Sequence, residues 1–174
     1  MIILVSGKMG SGKSTLAKYL ADKRFEVHRF ADPVYQIARD VFGMVKKDRS
    51  LLQGIGKKMR EIDPDVYAKA FIRSLPEGDR LIVADDLRFL NEMRLVTQAF
   101  GDEVITVRLE ANEERRLAVL EKLYGKVTEK QLTDISETAL DDEHWRFDVV
   151  AVNDYKDGFA ERVWEDIKKC AGEG

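Results

Sequence analysis

The chain has 174 residues, a net charge of −3, 35% charged and 44% hydrophobic residues, a balance that suits one α/β-sized domain with its own core and excludes a disordered chain. The slight acidic excess excludes a non-specific nucleic-acid binder, which needs surplus Lys and Arg, so any polyanion site must be local. One cysteine, Cys170, excludes an internal disulfide, and with only His28 and His144 beside it no structural metal site is expected.

Residues 2–5, Ile-Ile-Leu-Val, form an uninterrupted aliphatic run that predicts a strand buried on both faces. The run is too short for a signal peptide or a membrane span, which gives the expectation of a cytoplasmic protein with no membrane partner. Residues 7–14 then read G-K-M-G-S-G-K-S and match G-x-x-x-x-G-K-[ST] through Gly7, Gly12, Lys13 and Ser14. Glycines let backbone N–H groups turn around phosphate oxygens without a Cβ in the way. Lys13 brings a mobile cation to the β and γ phosphates, and the Ser14 hydroxyl can ligate magnesium. The helix that starts here adds its positive end. Gly7, Lys8, Met9, Gly10, Ser11, Gly12, Lys13, Ser14 and Thr15 are therefore the expected ATP-binding residues.

Leu16, Ala17 and Leu20 carry that helix to about Lys23, and residues 24–30 predict a second short strand. Asp32-Pro33 reads as a helix N-cap followed by a proline, with Val34, Ile37, Ala38 and Val41 behind it. Residues 48–62 predict a helix with two faces. Leu51, Leu52, Ile55, Met59 and Ile62 make an apolar stripe, whereas Gln53, Gly56, Lys57 and Arg60 share another side. Asp63-Pro64 repeats the cap-plus-proline signal before a helix with Val66, Ala70, Phe71 and Leu75. Residues 48–76 thus offer cations and amides for an acceptor.

Residues 81–84 predict a second buried strand, ending in Asp85-Asp86, where an acid can reach a metal beside Ser14. A helix over 90–100, a strand over 103–109 and a helix capped by Asn112, with Leu117, Leu120 and Leu123 inside, follow. Arg88, Arg94, Arg115 and Arg116 can neutralise charge on a transferred phosphoryl group. Residues 126–142 are polar with few apolar anchors and suit a lid. Residues 147–152 predict the last strand and 159–167 a closing amphipathic helix.

Strands alternating with helices predict a parallel sheet covered on both faces. The expectation is a single three-layer P-loop kinase domain over 1–174, with about five parallel strands, acceptor helices at 48–76 and a small lid at 126–142. A GTPase should carry Asn-Lys-x-Asp after a late strand; residues 152–155, Val-Asn-Asp-Tyr, do not fit. A motor would need further domains that 174 residues do not hold.

The motifs also resemble a known family, the deoxynucleoside monophosphate kinases of bacteriophage type within the nucleoside monophosphate kinase superfamily. The resemblance runs over nearly the whole chain: the phosphate loop, FADP at 30–33, LLQGIG at 51–56, REIDPD at 60–65, DLRFLNE at 86–92, and Ser136-Glu137 with LDD at 140–142. It implies ATP and Mg2+ as cofactors and a small-molecule nucleoside monophosphate as acceptor. It further implies no nucleic-acid partner, a monomer or homodimer, and the host cytoplasm if the chain is phage-encoded. By the resemblance Asp32, Gln53, Lys57, Arg60, Asp65, Arg88 and Glu137 face the acceptor. Lys13, Asp86, Arg88 and Arg116 would be catalytic, Arg115 would reach the donor, and Ser14, Asp85 and Asp86 would serve the metal. Two positions depart from the family pattern: Lys57 stands where members often have Thr, and Leu90 where they often have Pro. Phosphomevalonate kinases of animal type and dephospho-coenzyme A kinases share this scaffold, and an ATP-binding module without transfer is the reading from another class.

Overall fold

The computed structural model describes residues 1–125, 128–141 and 146–172. A five-stranded parallel sheet forms its centre, with strands β1 (Ile2–Ser6), β2 (Glu26–Val27), β3 (Ile82–Ala84), β4 (Val104–Ala111) and β5 (Val149–Asn153) in the order β2-β3-β1-β4-β5. β1 lies in the middle, pairing Ile3 with Val83 on one side and with Ile105 on the other.

Side chains alternate across a strand, so β1 feeds two cores. Ile2 and Leu4 pack with Phe30, Val34, Phe71, Ile82 and Val96 on one face. Ile3 and Val5 pack with Leu16, Leu20, Val83, Val107, Val163 and Ile167 on the other. The second face is covered by α1 (Lys13–Ala21) and α9 (Phe159–Cys170), and the first by α2 (Asp32–Asp40), α3 (Arg49–Ile62), α4 (Val66–Ser74) and α5 (Leu90–Phe100). The remaining α-helices among the described residues are α6 (Glu113–Tyr124), α7 (Glu129–Leu132) and α8 (Ile135–Thr138). This is the three-layer α/β architecture expected from the alternation of elements. No helix among the described residues is long and apolar enough to cross a membrane.

Several local expectations need correction. β2 is two residues long rather than spanning 24–30: Arg24 takes a left-handed φ of 74°, and the chain leaves the sheet after Val27 so that Phe30 can stack on Phe71. Asp32 is not an N-cap. Ala31 holds that position, and the Asp32 carboxylate accepts the N–H of Arg29 at 2.9 Å. Asp63 ends α3 instead of opening α4; Asp65 precedes α4. The apolar stripe of α3 stops at Met59, because Ile62 is 81% exposed. Leu123, expected inside its helix, is also exposed. By contrast α3 runs almost as read, from Arg49 to Ile62, with Asp48 as its N-cap accepting the N–H of Leu51 at 3.0 Å.

Candidate active site

The donor end grows out of the central strand. β1 delivers the chain to the C-terminal end of the parallel strands, residues 7–12 turn back, and α1 begins at Lys13. Gly7 has φ +147°, and a Cβ there would lie 2.5 Å from the Leu109 carbonyl oxygen. Gly12 has φ +102°, and a Cβ would meet Asn153 Nδ2 at 2.5 Å. At both positions only glycine fits the turn and its neighbour.

Lys13 is buried at the start of α1, and its Nζ donates to the Lys8 carbonyl at 3.0 Å as well as to Gly7. Burial, seconded by the Arg88 charge, lowers its pKa from 10.5 to about 7. An anion in the loop would reverse that penalty by pairing with the ammonium.

Asp85 and Asp86 close β3 and part company at once. The Ser14 hydroxyl donates to Asp85 Oδ2 at 3.1 Å, and Arg29 Nε donates to Asp85 Oδ1 at 2.7 Å. Asp86 accepts backbone N–H groups from Phe30 at 3.1 Å and Ala31 at 3.0 Å. Desolvation nevertheless raises the Asp86 pKa to about 6. Asp85 thus belongs with Ser14, whereas Asp86 ties down the loop before α2. A hydroxyl and a carboxylate side by side are hard oxygen donors of the sort magnesium takes, with water and phosphate completing its shell. No group of three or more His, Cys, Asp or Glu able to hold a metal exists among the described residues.

A second wall is built by α3, α4 and the start of α5. The Arg60 guanidinium lies 4.6 Å from the Tyr67 ring centroid and 4.5 Å from that of Phe89. Its Nη2 is 3.5 Å from Glu92 Oε1. Glu92 Oε2 accepts the N–H groups of Arg88 at 3.0 Å and Phe89 at 3.1 Å, and burial raises the Glu92 pKa to about 7. The Tyr67 hydroxyl is buried without a hydrogen-bond partner. Donor loop and second wall line one cleft of about 1300 Å3, which also takes in Phe30, Tyr35, Gln53 and Lys57.

Residues 134–141 lie against the donor loop. Glu137 Oε2 accepts the N–H of Met9 at 2.7 Å, and its Oε1 accepts from Arg88 Nη1 at 2.6 Å. Asp141 pairs with Lys8 at 3.0 Å and with buried Arg108 at 2.7 Å, while Leu140 is buried in the core. Residues 126, 127 and 142 of the expected lid lie outside the described residues, as does His144.

The expected site residues therefore fall into three groups. Met9, Gly10, Gly12, Lys13, Ser14, Thr15, Gln53, Lys57, Arg60, Asp85, Asp86 and Arg88 line the cleft. Gly7, Lys8, Ser11 and Glu137 sit in or on the donor loop behind that surface. The rest turn elsewhere: Asp32 to Arg29, Asp65 to Asn91 Nδ2 at 2.8 Å, Arg115 to the Asp154 carbonyl at 3.2 Å, and Arg116 to the Met9 carbonyl at 3.0 Å. Arg94 is exposed on α5. Sequence reasoning missed Arg29, Tyr67, Phe89 and Glu92. A Phe-x-x-Glu spacing at a helix start was the available signal for the last two, since Glu three residues into a helix reaches back to cap it.

The fold carries its own comparison. TT1252 from Thermus thermophilus superimposes with a TM-score of 0.67 at 20% identity, over 97% of this chain and 96% of that one. A gluconokinase from Sinorhizobium meliloti 1021 follows at 0.64 and 15%, over 98% and 93%. A shikimate kinase from Acinetobacter baumannii, solved with shikimate, reaches 0.59 and 17%, over 98% and 92%. At these identities the likeness is one of fold, that of the P-loop kinases. Among curated proteins, a UPF0200 protein of Saccharolobus islandicus strain M.16.4 is 28% identical over 137 residues, which is 78% of this chain and 67% of that protein. A UPF0200 protein of Saccharolobus solfataricus is 32% identical over 108 residues, 61% of this chain and 55% of that one. The chain thus spans between half and two thirds of the length of these two relatives. Residues 3–139, from the central strand through the phosphate loop to the segment that rests on it, match one family model, and on that match the chain belongs to the AAA domain family.

Proposed function

We propose that the protein transfers the terminal phosphoryl group of ATP to a (deoxy)nucleoside monophosphate, giving the diphosphate. The observation that carries this reading is that one cleft joins the phosphate-loop turn to a guanidinium lying within 4.6 Å of the centroids of two aromatic rings. A nucleotide acceptor offers the matching pair of features, a phosphate for Arg60 and a flat base for the partly exposed rings of Tyr35 and Phe89. Gln53 and Lys57 would add amide and cationic contacts to base, sugar or phosphate.

The backbone of residues 7–14 would hold the donor, with Lys13 and Arg88 offsetting charge on the group in transit. Ser14 and Asp85 would hold a magnesium ion, whose chemistry is to neutralise phosphate oxygens. Asp86 would fix the loop at residues 30–31, so that acceptor and donor meet in line. An acceptor phosphate is already ionised at neutral pH and needs no general base. Its oxygen bonds to the γ phosphorus as the bond to the β–γ bridging oxygen breaks, and ADP leaves.

The deciding experiment measures ADP release with ATP and a panel of nucleoside monophosphates, phosphomevalonate and dephospho-coenzyme A. Release dependent on a nucleoside monophosphate is expected. Release dependent on one of the other acceptors alone would move the acceptor class and leave the phosphotransfer standing. ATP binding with no acceptor-dependent release would leave only a nucleotide-binding module.

A further inference from the structure

Three successive carbonyls of the phosphate loop are each gripped from behind. Arg116 Nη1 donates to the Met9 oxygen, the Tyr155 hydroxyl to the Gly10 oxygen, and Asn153 Nδ2 to the Ser11 oxygen, each at 3.0 Å. The donors come from α6, from the last residue of β5 and from the turn after it, more than 100 residues along the chain. Arg116 is 5% exposed and Asn153 6%. Neither is a surface group that happens to lie near.

A trans peptide unit points its C=O and its N–H in opposite directions. Holding the Met9 oxygen outward therefore aims the Gly10 N–H inward, and holding the Ser11 oxygen does the same for Gly12. Those two N–H groups have no partner among the described residues. The peptide between them is spent differently: its Ser11 N–H closes the turn on the Lys8 carbonyl at 3.0 Å, while its Gly10 oxygen takes the tyrosine.

Two further features show that the grip is built in. The Asn153 amide cannot rotate freely, because its Oδ1 accepts the Tyr155 N–H at 2.7 Å. Tyr155 itself sits at φ +56°, a left-handed conformation that non-glycine residues adopt only when something holds them there. The strain brings its hydroxyl onto the loop.

We infer that Arg116, Asn153 and Tyr155 are positioning residues that preset the phosphate loop for a polyphosphate by holding its outward carbonyls, with no contact of their own to the phosphates. This rests on the reading that the loop binds a nucleoside triphosphate. It also gives Arg116 a different task from the charge neutralisation expected of it.

The test is calorimetric binding of ATP and of inorganic tripolyphosphate to the wild type and to Tyr155→Phe, Asn153→Asp and Arg116→Met. Tyr155→Phe removes one hydroxyl and keeps the ring. Each variant should lose about three- to tenfold in affinity, the worth of one hydrogen bond, and by the same factor for both ligands, since tripolyphosphate has no base or sugar. Arg116→Lys, which keeps a donor, should recover part of the loss. A variant that weakens ATP alone would place its side chain on the nucleoside and overturn the inference for it, as would unchanged binding of both ligands. Should Asn153→Asp or Arg116→Met unfold, the Tyr155→Phe result decides. A wild type that binds neither ligand would overturn the nucleotide reading itself, and with it the inference.

Discussion

Ser14 and Asp85 are 71 positions apart, yet the hydroxyl of one donates to the carboxylate of the other at 3.1 Å, across the seam between β1 and β3. The adjacent Asp86 turns to the backbone of Phe30 and Ala31. Two consecutive acids thus serve the two halves of the cleft, one each. Asp85→Asn should weaken binding of magnesium-ATP about tenfold or more while changing metal-free ATP little, as calorimetry with and without chelator would report. Equal losses under both conditions would remove Asp85 from the metal.

Lys13→Ala should lower phosphotransfer by about 100-fold or more without lowering the melting temperature. The lysine is buried as a strained cation with its pKa near 7, so its removal costs the empty protein nothing electrostatically. An active, folded variant would contradict the mechanism. The linkage has a definite sign. The folded state binds fewer protons at Lys13 than the unfolded chain between pH 7 and 10.5, so this group adds stability as pH rises through that window. The melting temperature gained by Lys13→Met should therefore be larger at pH 6.5 than at pH 10.

Glu92 titrates in the opposite sense. Burial raises its pKa from 4.5 to about 7, so its contribution to stability is complete below pH 4.5 and is lost as pH climbs through 7. Asp86 acts likewise between 3.8 and about 6. Glu92→Gln keeps an oxygen for the N–H groups of Arg88 and Phe89 and cannot ionise. Its melting temperature should exceed that of the wild type by about 3–8 °C at pH 8, with the gap closing near pH 4.5. A constant gap would show that ionisation is not the cause.

Arg60→Ala should raise the acceptor KM about ten- to 100-fold with little effect on the KM for ATP. An unchanged acceptor KM would take Arg60 out of the acceptor site.

Glu137 offers the sharpest contrast. Its carboxylate accepts the Met9 N–H and the guanidinium of Arg88, the cation that the proposed function gives to the group in transit. Glu137→Ala should therefore tighten ATP binding several-fold, because a competing anion is gone. Weaker binding of the acceptor, with ATP affinity unchanged, would instead support the substrate-facing role that the family resemblance implies.

Local pattern carried much of this molecule. The aliphatic runs of β1 and β3, the glycine spacing of residues 7–12 and the division of α3 into two faces are short-range signals; β1 and the glycine turn are found where they were read, whereas β3 begins only at Ile82, leaving Leu81 exposed, and α3 loses Ile62 from its apolar stripe. What stayed hidden depends on pairs far apart in sequence. Nothing near Asn153 announces that it meets Ser11, 142 residues away, and nothing in Arg115-Arg116 tells which of the two points inward. Prolines misled for a related reason. Asp-Pro marks a helix start in general, but at Asp63 the aspartate ends α3, accepting the N–H of Asp65 at 3.0 Å. Strand length failed where tertiary packing overruled propensity, as at β2, which yields to the stacking of Phe30 on Phe71.

The placing of Arg60 against the rings of Tyr67 and Phe89 bears on how the proposed acceptor would be chosen. A free arginine side chain gives up considerable rotational freedom when it clasps an anion. Here the guanidinium already rests within 4.6 Å of two ring centroids, with Nη1 turned to the Gly56 carbonyl at 3.4 Å and Nη2 3.5 Å from Glu92 Oε1, so part of that loss is taken at folding. A rim of coplanar donors favours an anion whose oxygens can lie in that plane and be met two at a time. For the acceptor proposed above, selectivity at this end of the cleft would then be a matter of alignment more than of charge, and a lysine at position 60 would keep the charge while losing the discrimination.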